Sequence, residues 1–294
     1  MFRTLKKHSG ERIFGFINGA VLGFLALVCL FPFLYMFMIA LIPTADYLQF
    51  GITFPKHVTL ENFKVFLGRG SKLYTSYGVT FYITAIGTLV AVALTVSLAY
   101  PLSKAYFRGR RFFNLMIIIT MIFNAGMIPR YLVIKGLGMS NSLWSLILPQ
   151  AVAVWYVFLM RSFFSSVPSS MEESAKIDGA GDLRILLQIY LPLSKASIAT
   201  ISLFYAVGRW NEWFDAMLFI SKAEKQPLQL VLRNIISFSQ SALKPGGLRS
   251  GIQMPPNEIM KVTAILVAIL PILCVYPFVQ KYFVKGAMIG SIKG

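Results

Sequence analysis

Two clusters of ionisable side chains stand out in a chain of 294 residues that holds only 11 acidic ones. The first, between Val167 and Lys195, gathers Glu172, Glu173, Asp178 and Asp182. The second is the run Arg209, Trp210, Asn211 and Glu212, with Asp215 close behind. Carboxylates at such spacing can act as general acids and bases, ligate a metal, or pair with cations across an interface. The metal needs companions that the chain lacks. Its two histidines, His8 and His57, are far apart, and its two cysteines, Cys29 and Cys274, have no zinc-type spacing. No Gly-x-x-x-x-Gly-Lys-Ser/Thr phosphate loop exists. The stretch GRGSK at 68–72 has neither the spacing nor a preceding strand. Energy for any work must come from a partner or from an ion gradient.

The elements that position the two clusters follow from where charge is missing. Lys and Arg number 28 and the net charge is +17, yet charged residues are only 13% and hydrophobic ones 56%. A soluble domain has about a quarter of its residues charged, and disorder needs low hydrophobicity. The basic excess leaves nucleic acid or membrane. Six stretches lack any Asp, Glu, Lys or Arg: Ile13–Ala45, Leu73–Ser103, Phe112–Pro129, Gly136–Met160, Ala196–Gly208 and Val262–Gln280. Arg209 interrupts the fifth, but apolarity resumes from Phe214 to Ile220. A hydrocarbon core takes roughly 20 helical residues to cross, and lipid forces backbone polar groups to pair internally. The reading is an all-α membrane protein with six transmembrane helices near 13–42, 77–102, 112–132, 142–164, 196–220 and 262–284. The first apolar run is far longer than a signal-peptide core of about 7–15 residues, so it is read as an uncleaved span.

Orientation follows from the flanks. The densest basic cluster, KAYFRGRR, holds Lys104, Arg108, Arg110 and Arg111 between the second and third helices. Density near helix ends marks the inner side, which places both termini in the cytoplasm (N-in, C-in). The positive excess is then a topology signal and not a nucleic-acid footprint. Cys29 and Cys274 fall inside helices and read as small apolar residues.

The first acidic cluster lies between helices four and five, on the inner side. Pro168 opens it, and Ser169 and Ser170 each have a glutamate three residues on, the capping-box spacing. The short helix that follows should end at Asp178-Gly179, with the glycine in the left-handed conformation. Asp182 is placed to cap a second helix, with Pro192 near its end. Two short helices joined at a glycine make an L-shaped cytoplasmic projection.

This stretch resembles the EAA loop of permease subunits of bacterial ABC importers. The family pattern is E-A-A, three residues, Gly, nine residues, then I-x-L-P. Here it reads Glu173-Ser174-Ala175, Gly179, and Ile189-Tyr190-Leu191-Pro192, with Ser174 in place of the first Ala. The longer form EESAKIDGA is similar to the version in carbohydrate-uptake (MalG-like) permeases. FRGRR, MIPRYLVIKGLGMSNSLWSLILP, LMRSFF, RWNEWFDAMLFI and QKYFVKGAMIGSIKG extend the likeness from about Tyr74 to Gly294. FNAGMIPRY and the ending are most similar to the LplC/YtcP-like branch.

The resemblance implies a type I importer (MetI-like) permease fold, with residues 1–72 as the N-terminal segment, first helix and external loop. Residues 73–294 are the permease core containing the EAA coupling loop at 168–192. It implies that Glu172, Glu173, Ser174, Ala175, Asp178, Gly179, Ala180, Leu191 and Pro192 form the coupling site, with Glu173 facing a basic residue of a separate ATPase subunit. It further implies a bacterial plasma-membrane (inner, cytoplasmic) multi-pass protein. The partners would be a second homologous permease, two ATPase subunits, an extracellular substrate-binding lipoprotein and a sugar or oligosaccharide, moved by alternating access. ATP and Mg would be held by the ATPase subunits, with no cofactor or metal in this chain and no enzymatic activity of its own. From the residues alone, Glu173 can also serve as a capping-box partner, and both roles can hold together.

The second cluster lies inside a span, where ionisable groups are functional candidates. Arg209 lies roughly 20 Å into helix five at 1.5 Å per residue. Arg209 and Glu212 share a face, as do Asn211 and Asp215, and Trp210 offers a flat apolar surface. Either this face belongs to the translocation pathway or its outer gate, or it is a paired, structural contact with the partner permease. Asn124 in helix three either bonds a neighbouring helix or lines a cavity, and Arg130 is expected to snorkel to the outer interface. Segment 221–261 either touches a binding protein or covers the helices. A rival function is an ion-gradient-driven secondary transporter. That predicts paired inverted halves and leaves the loop at 168–192 unexplained.

Overall fold

The computed structural model describes residues 9–52, 57–68, 72–123, 125–241 and 258–274, which are mostly helical, with no strand among them. The expected all-α class therefore stands for the described residues. The chain divides into two compact units, Met1–Gly68 with Ile236–Ile269, and Arg69–Ile235 with Leu270–Gly294.

In the first unit, α1 (Ser9–Ala40) is a single long helix matching the expected span 13–42. Its apolar side chains stay exposed until the last turn, where Ile39 and Ala40 are buried; Phe16 is at 80% and Leu27 at 67%. An apolar surface of this extent is at rest in hydrocarbon and not in water. Pro32 sits inside the helix and removes the amide that would bond the Val28 carbonyl. Two short helices follow, α2 (Thr44–Phe50) and α3 (Glu61–Leu67). The last carbonyls of a helix have no internal donor, and here Asn62 of α3 supplies one. Its buried amide donates to the carbonyls of Ala40 at 2.8 Å and Ile42 at 2.9 Å, while the Thr59 amide donates to Leu41 at 3.0 Å. The helix over 258–274 buries Ile259, Thr263 and Leu266 at helical spacing. It overlaps the expected span 262–284 as far as 274, the rest lying outside the described residues.

The second unit is built on α4 (Lys72–Ser103), the other unbroken span. After it come α5 (Arg110–Ile122), α6 (Met127–Gly136), α7 (Trp144–Ile147) running into a 3-10 turn at Leu148–Gln150, and α8 (Val154–Ser165). Then follow α9 (Ser169–Ile177), α10 (Asp182–Ile185), a π turn at Leu186–Tyr190, α11 (Leu191–Leu193), α12 (Lys195–Trp210), α13 (Phe214–Phe219) and α14 (Leu228–Ser241). α4 packs chiefly on α12 and α8. Fully buried Ala91 and Ala99 let the helices approach, as small residues do between membrane helices. Val157, Met160 and Phe164 of α8 and Ile201 and Tyr205 of α12 fill the core around them. Tyr205 shares a 2.8 Å hydrogen bond with Thr95 and accepts the Ala153 amide at 3.0 Å. A second core gathers Ile83, Ile134, Leu146, Ile147, Ala216 and Phe219.

Three expected straight spans are broken. The span 112–132 becomes α5 and α6, with Gly126 at φ +82° before α6 and Pro129 in its first turn. The span 142–164 bends by 53° between Trp144–Gln150 and Val154–Ser165. The span 196–220 begins with a bend of 83° after Leu193 and stops at Trp210. Asn211 stands at its C-terminus, where the side-chain amide donates at 2.8 Å to the Val207 carbonyl that already takes the last helical N–H at 3.2 Å. Such local bonding competes with helix continuation. By length and apolarity, two described helices can cross a membrane alone, or up to five spans if each bent pair counts as one.

Replacing Asn62 with Leu removes the donor to two buried carbonyls, at about 1–3 kcal/mol for each group left unpaired. The expected outcome is faster limited proteolysis between residues 41 and 60 of the detergent-purified protein, at unchanged membrane insertion.

Candidate functional site

The elbow formed by α9 and α10 holds the first acidic cluster. Its starting point is a buried cation. Lys104, just past the end of α4, is 6% exposed and lies over the rings of Tyr190 at 3.7 Å and Tyr100 at 4.5 Å. A buried ammonium needs a paired charge, and Glu172, 7% exposed, reaches it at 2.5 Å. Lys176 approaches the other carboxylate oxygen at 2.8 Å, and the hydroxyls of Tyr190 and Tyr106 donate to Glu172 at 2.9 and 3.0 Å. This corrects the capping-box expectation. The N-cap is Pro168, with no side-chain cap, because Glu172 is drawn inward. Burial raises the Glu172 carboxyl, but bonds from Lys104, Lys176, Tyr190 and Tyr106 outweigh it and hold the pKa at about 2. Burial likewise pushes the Lys104 ammonium down, against the upward pull of Glu172.

Gly179 makes the bend as expected. It adopts φ +77°, and the amides of Gly179 and Ala180 donate to Lys176 at 3.0 Å and Ala175 at 2.9 Å, a Schellman closure. Asp182 does not cap α10. The N-cap is Gly181, and Asp182 instead accepts the Tyr106 hydroxyl at 3.3 Å. Pro192 is accommodated by the π turn before it, which relieves the carbonyl its ring would strike. Ala175, Ala180 and Leu191 pack inward on the core, so Ala175 does not share the outer face with Ser174. Glu173, Ser174, Asp178, Gly179 and Pro192 are exposed. With them stand bare apolar side chains, Ile177 at 87% and Leu183 at 69% exposure.

The second cluster is an internal brace. The guanidinium of Arg209, 2% exposed, donates to the carbonyls of Leu146, Ile147 (3.0 Å) and Gln150 (2.8 Å). These are the orphan carbonyls where α7 and its 3-10 turn end. Gly87 of α4 makes room for it: a Cβ there would lie 3.2 Å from Arg209 Nε. Gln150 then donates to Glu212 (2.7 Å) and to Asp215 (2.5 Å), Glu212 accepts the Asp215 amide at 2.9 Å, and Arg130 pairs with Asp215. The Arg209–Glu212 pair that a shared face would allow is not made, because the carbonyls of the broken helix claim Arg209. Arg130 is not a free snorkelling side chain, because Asp215 is 2% exposed and needs a cation. Asn211 is exposed, and the buried Trp210 Nε1 and the hydroxyls of Thr84 and Thr88 carry no partner among the described residues. Asn124 lies outside the described residues. Sequence reasoning missed Tyr106, Gln150 and Tyr190, and used Lys104 only as a topology marker. Among the described residues no three His, Cys, Asp or Glu side chains come together as metal ligands.

Two outcomes are expected. Glu172 has its carboxyl below the free value of 4.5, so its contribution is complete above pH 4.5 and is lost as pH falls towards 2. The shift corresponds to about 3 kcal/mol. The melting temperature of the solubilised protein should exceed that of Glu172→Gln by a constant margin from pH 5 to 7, and the margin should shrink below pH 4.5. Arg209→Lys keeps the charge but cannot fork across three carbonyls. It should lower the melting temperature by several degrees, at about 2–4 °C per kcal/mol.

No protein-family model matches the chain. It is 40% identical to protein LplC of Bacillus subtilis strain 168, covering 99% of this chain and 98% of LplC. It is 38% identical to the polygalacturonan/rhamnogalacturonan transport system permease protein YtcP of the same organism, covering 97% and 99%. Among solved structures, it resembles a chain in the crystal structure of a bacterial ABC transporter involved in the import of the acidic polysaccharide alginate. The TM-score is 0.81 and the identity 35%, covering 95% of this chain and 100% of that one. These likenesses show that the chain belongs to the permease subunits of carbohydrate-uptake ABC transporters.

Proposed function

We propose that the chain is one of two permease subunits that together form the transmembrane pathway of a bacterial importer for an oligosaccharide. Two ATPase subunits, which bind ATP and Mg, and an extracellular binding lipoprotein complete the assembly. The observation that carries the reading is the α9–α10 elbow: bare Ile177 shares a face of α9 with the exposed Glu173 carboxylate four residues before it, Leu183 is bare on α10, and Glu172 fixes the elbow from behind. An apolar surface rimmed by charge suits a protein partner, and a rigid backing lets a push on it reach α4 through Lys104.

The basic flanks support six spans of the bacterial plasma membrane with both termini on the cytoplasmic side, a type I (MetI-like) permease core over 73–294, and the elbow in the cytoplasm. The exposed Asn211, the partly exposed Glu212 and the unpartnered indole of Trp210 support a pathway role for that end of α12. Arg209 and Asp215 brace it. The chain itself carries no phosphate loop, which assigns hydrolysis to the partners. The named substrates of YtcP and of the alginate transporter support an oligosaccharide or polysaccharide fragment as cargo.

Gly179→Val tests the elbow. No heavy atom lies within 4 Å of the position a Cβ would take, so the change acts through the left-handed backbone, at about 1–2 kcal/mol, and not through a clash. The reconstituted complex should insert normally but lose substrate-stimulated ATP hydrolysis. Undiminished stimulation by loaded binding protein would sink the proposed coupling.

A further inference from the structure

The basic run that marks the corner between α4 and α5 has a shape beyond its charge. An open cleft of about 490 Å³ is lined by Ala105, Phe107, Gly109, Arg110, Arg111 and Asn114. No carboxylate lines it. Arg161 of α8 donates to the Asn114 side-chain oxygen at 3.0 Å, so a third guanidinium backs the cleft, and it feels the repulsion of Arg110. The ion pairs found among the described residues are Lys104–Glu172, Lys176–Glu172 and Arg130–Asp215. None of them draws on these arginines. The cleft opens at the N-terminal turn of α5, the end of a helix that favours an anion.

What leaves this corner is as informative as what lines it. α5 has no buried residue. Phe112, Leu115 and Ile119 are 61%, 57% and 51% exposed and recur at helical spacing. Phe107 and Phe113 pack with ring centroids 5.8 Å apart beside the cleft. An anionic head beside the arginines would therefore continue into an apolar stripe one helix turn away. A free phosphate would use the arginines and leave the stripe bare. A lipid uses both.

We propose that the cleft between α4 and α5 binds the phosphodiester headgroup of an anionic phospholipid of the inner leaflet, with its acyl chains along α5. This rests on the proposed topology for the leaflet, and on the cleft itself for the headgroup. Arg110 and Arg111 take the phosphate oxygens, Asn114 orders Arg161 behind them, and phosphatidylglycerol is preferred over phosphatidylcholine. Basic pockets at the cytoplasmic ends of membrane helices are suited to such heads, and guanidinium groups to phosphate oxygens.

The test uses the full permease complex in nanodiscs of phosphatidylglycerol mixed with phosphatidylcholine, released into native mass spectrometry. The wild-type complex should retain at least one more phosphatidylglycerol than the Arg110→Gln/Arg111→Gln complex, with about a tenfold drop in preference over phosphatidylcholine in the variant. Arg110→Lys/Arg111→Lys should recover part of the retention, which separates lost binding from a misfolded corner. The charge-matched control Lys195→Gln/Lys222→Gln should retain lipid as the wild type does. Equal retention in the Gln variant, equal loss in the control, or inorganic phosphate displacing the lipid at millimolar concentration would each overturn the site. Labelling of Arg108→Cys from outside the cell would overturn the leaflet and the topology, whatever the lipid retention, so the two readings fail separately.

Discussion

A charge buried in apolar surroundings must find its counter-charge or its hydrogen-bond partners within reach, and the second unit of this protein is arranged around two cations under that constraint. Lys104 would be untenable alone between the rings of Tyr100 and Tyr190. Its answer is Glu172, on an element far along the chain, and the elbow of α9 and α10 is held where it is because that carboxylate cannot leave. Arg209 is answered by carbonyls and not by an acid. The two solutions sit at different ends of the packing between α4 and α12, since Gly87 lies about 25 Å along α4 from Lys104 at 1.5 Å per residue.

The broken helices follow from the same rule. Every interruption of a helix leaves carbonyls without donors, and lipid offers none. The break after Gln150 is tolerated because Arg209 supplies three donors there. The end of α1 is tolerated because Asn62 supplies two. The elbow in the EAA-type loop closes on its own backbone at Gly179. The break after Gln150 and the end of α1 are thus placed where a polar side chain from another element can reach them.

Much of this was legible in the residues. The absence of charge located α1 and α4 nearly to their ends, and the glycine after Asp178 located the bend, because both signals are local. The partner of Glu172 was not legible. Capping-box spacing is a local argument, and it lost to an ion pair with a residue from a different helix. The breaks at Gln150–Ala153 and Asn211–Trp213 were missed for a related reason. Apolarity persists across the first and resumes at Phe214 after the second, so hydropathy reads one span where the backbone turns. The polar run Arg209 to Asp215 was recognised as unusual, but spacing along a straight helix put Arg209 and Glu212 on one face. Once the helix ends after Trp210 that register no longer holds: Arg209 bonds carbonyls of α7 and its turn, Glu212 and Asp215 meet Gln150, and Arg130 of α6 pairs with Asp215.

The bond between Arg209 and the carbonyls of Leu146, Ile147 and Gln150 also has a direction in time. A ribosome completes α7 and its turn well before it reaches Arg209, and Glu172 likewise is made after Lys104. In both cases the group that needs help is synthesised first and the group that supplies it comes later. A nascent chain that stops short of α12 holds the carbonyls of Leu146, Ile147 and Gln150 without the donors of Arg209. Completion of the chain is thereby written into its chemistry, as a defect that only the later helices can repair.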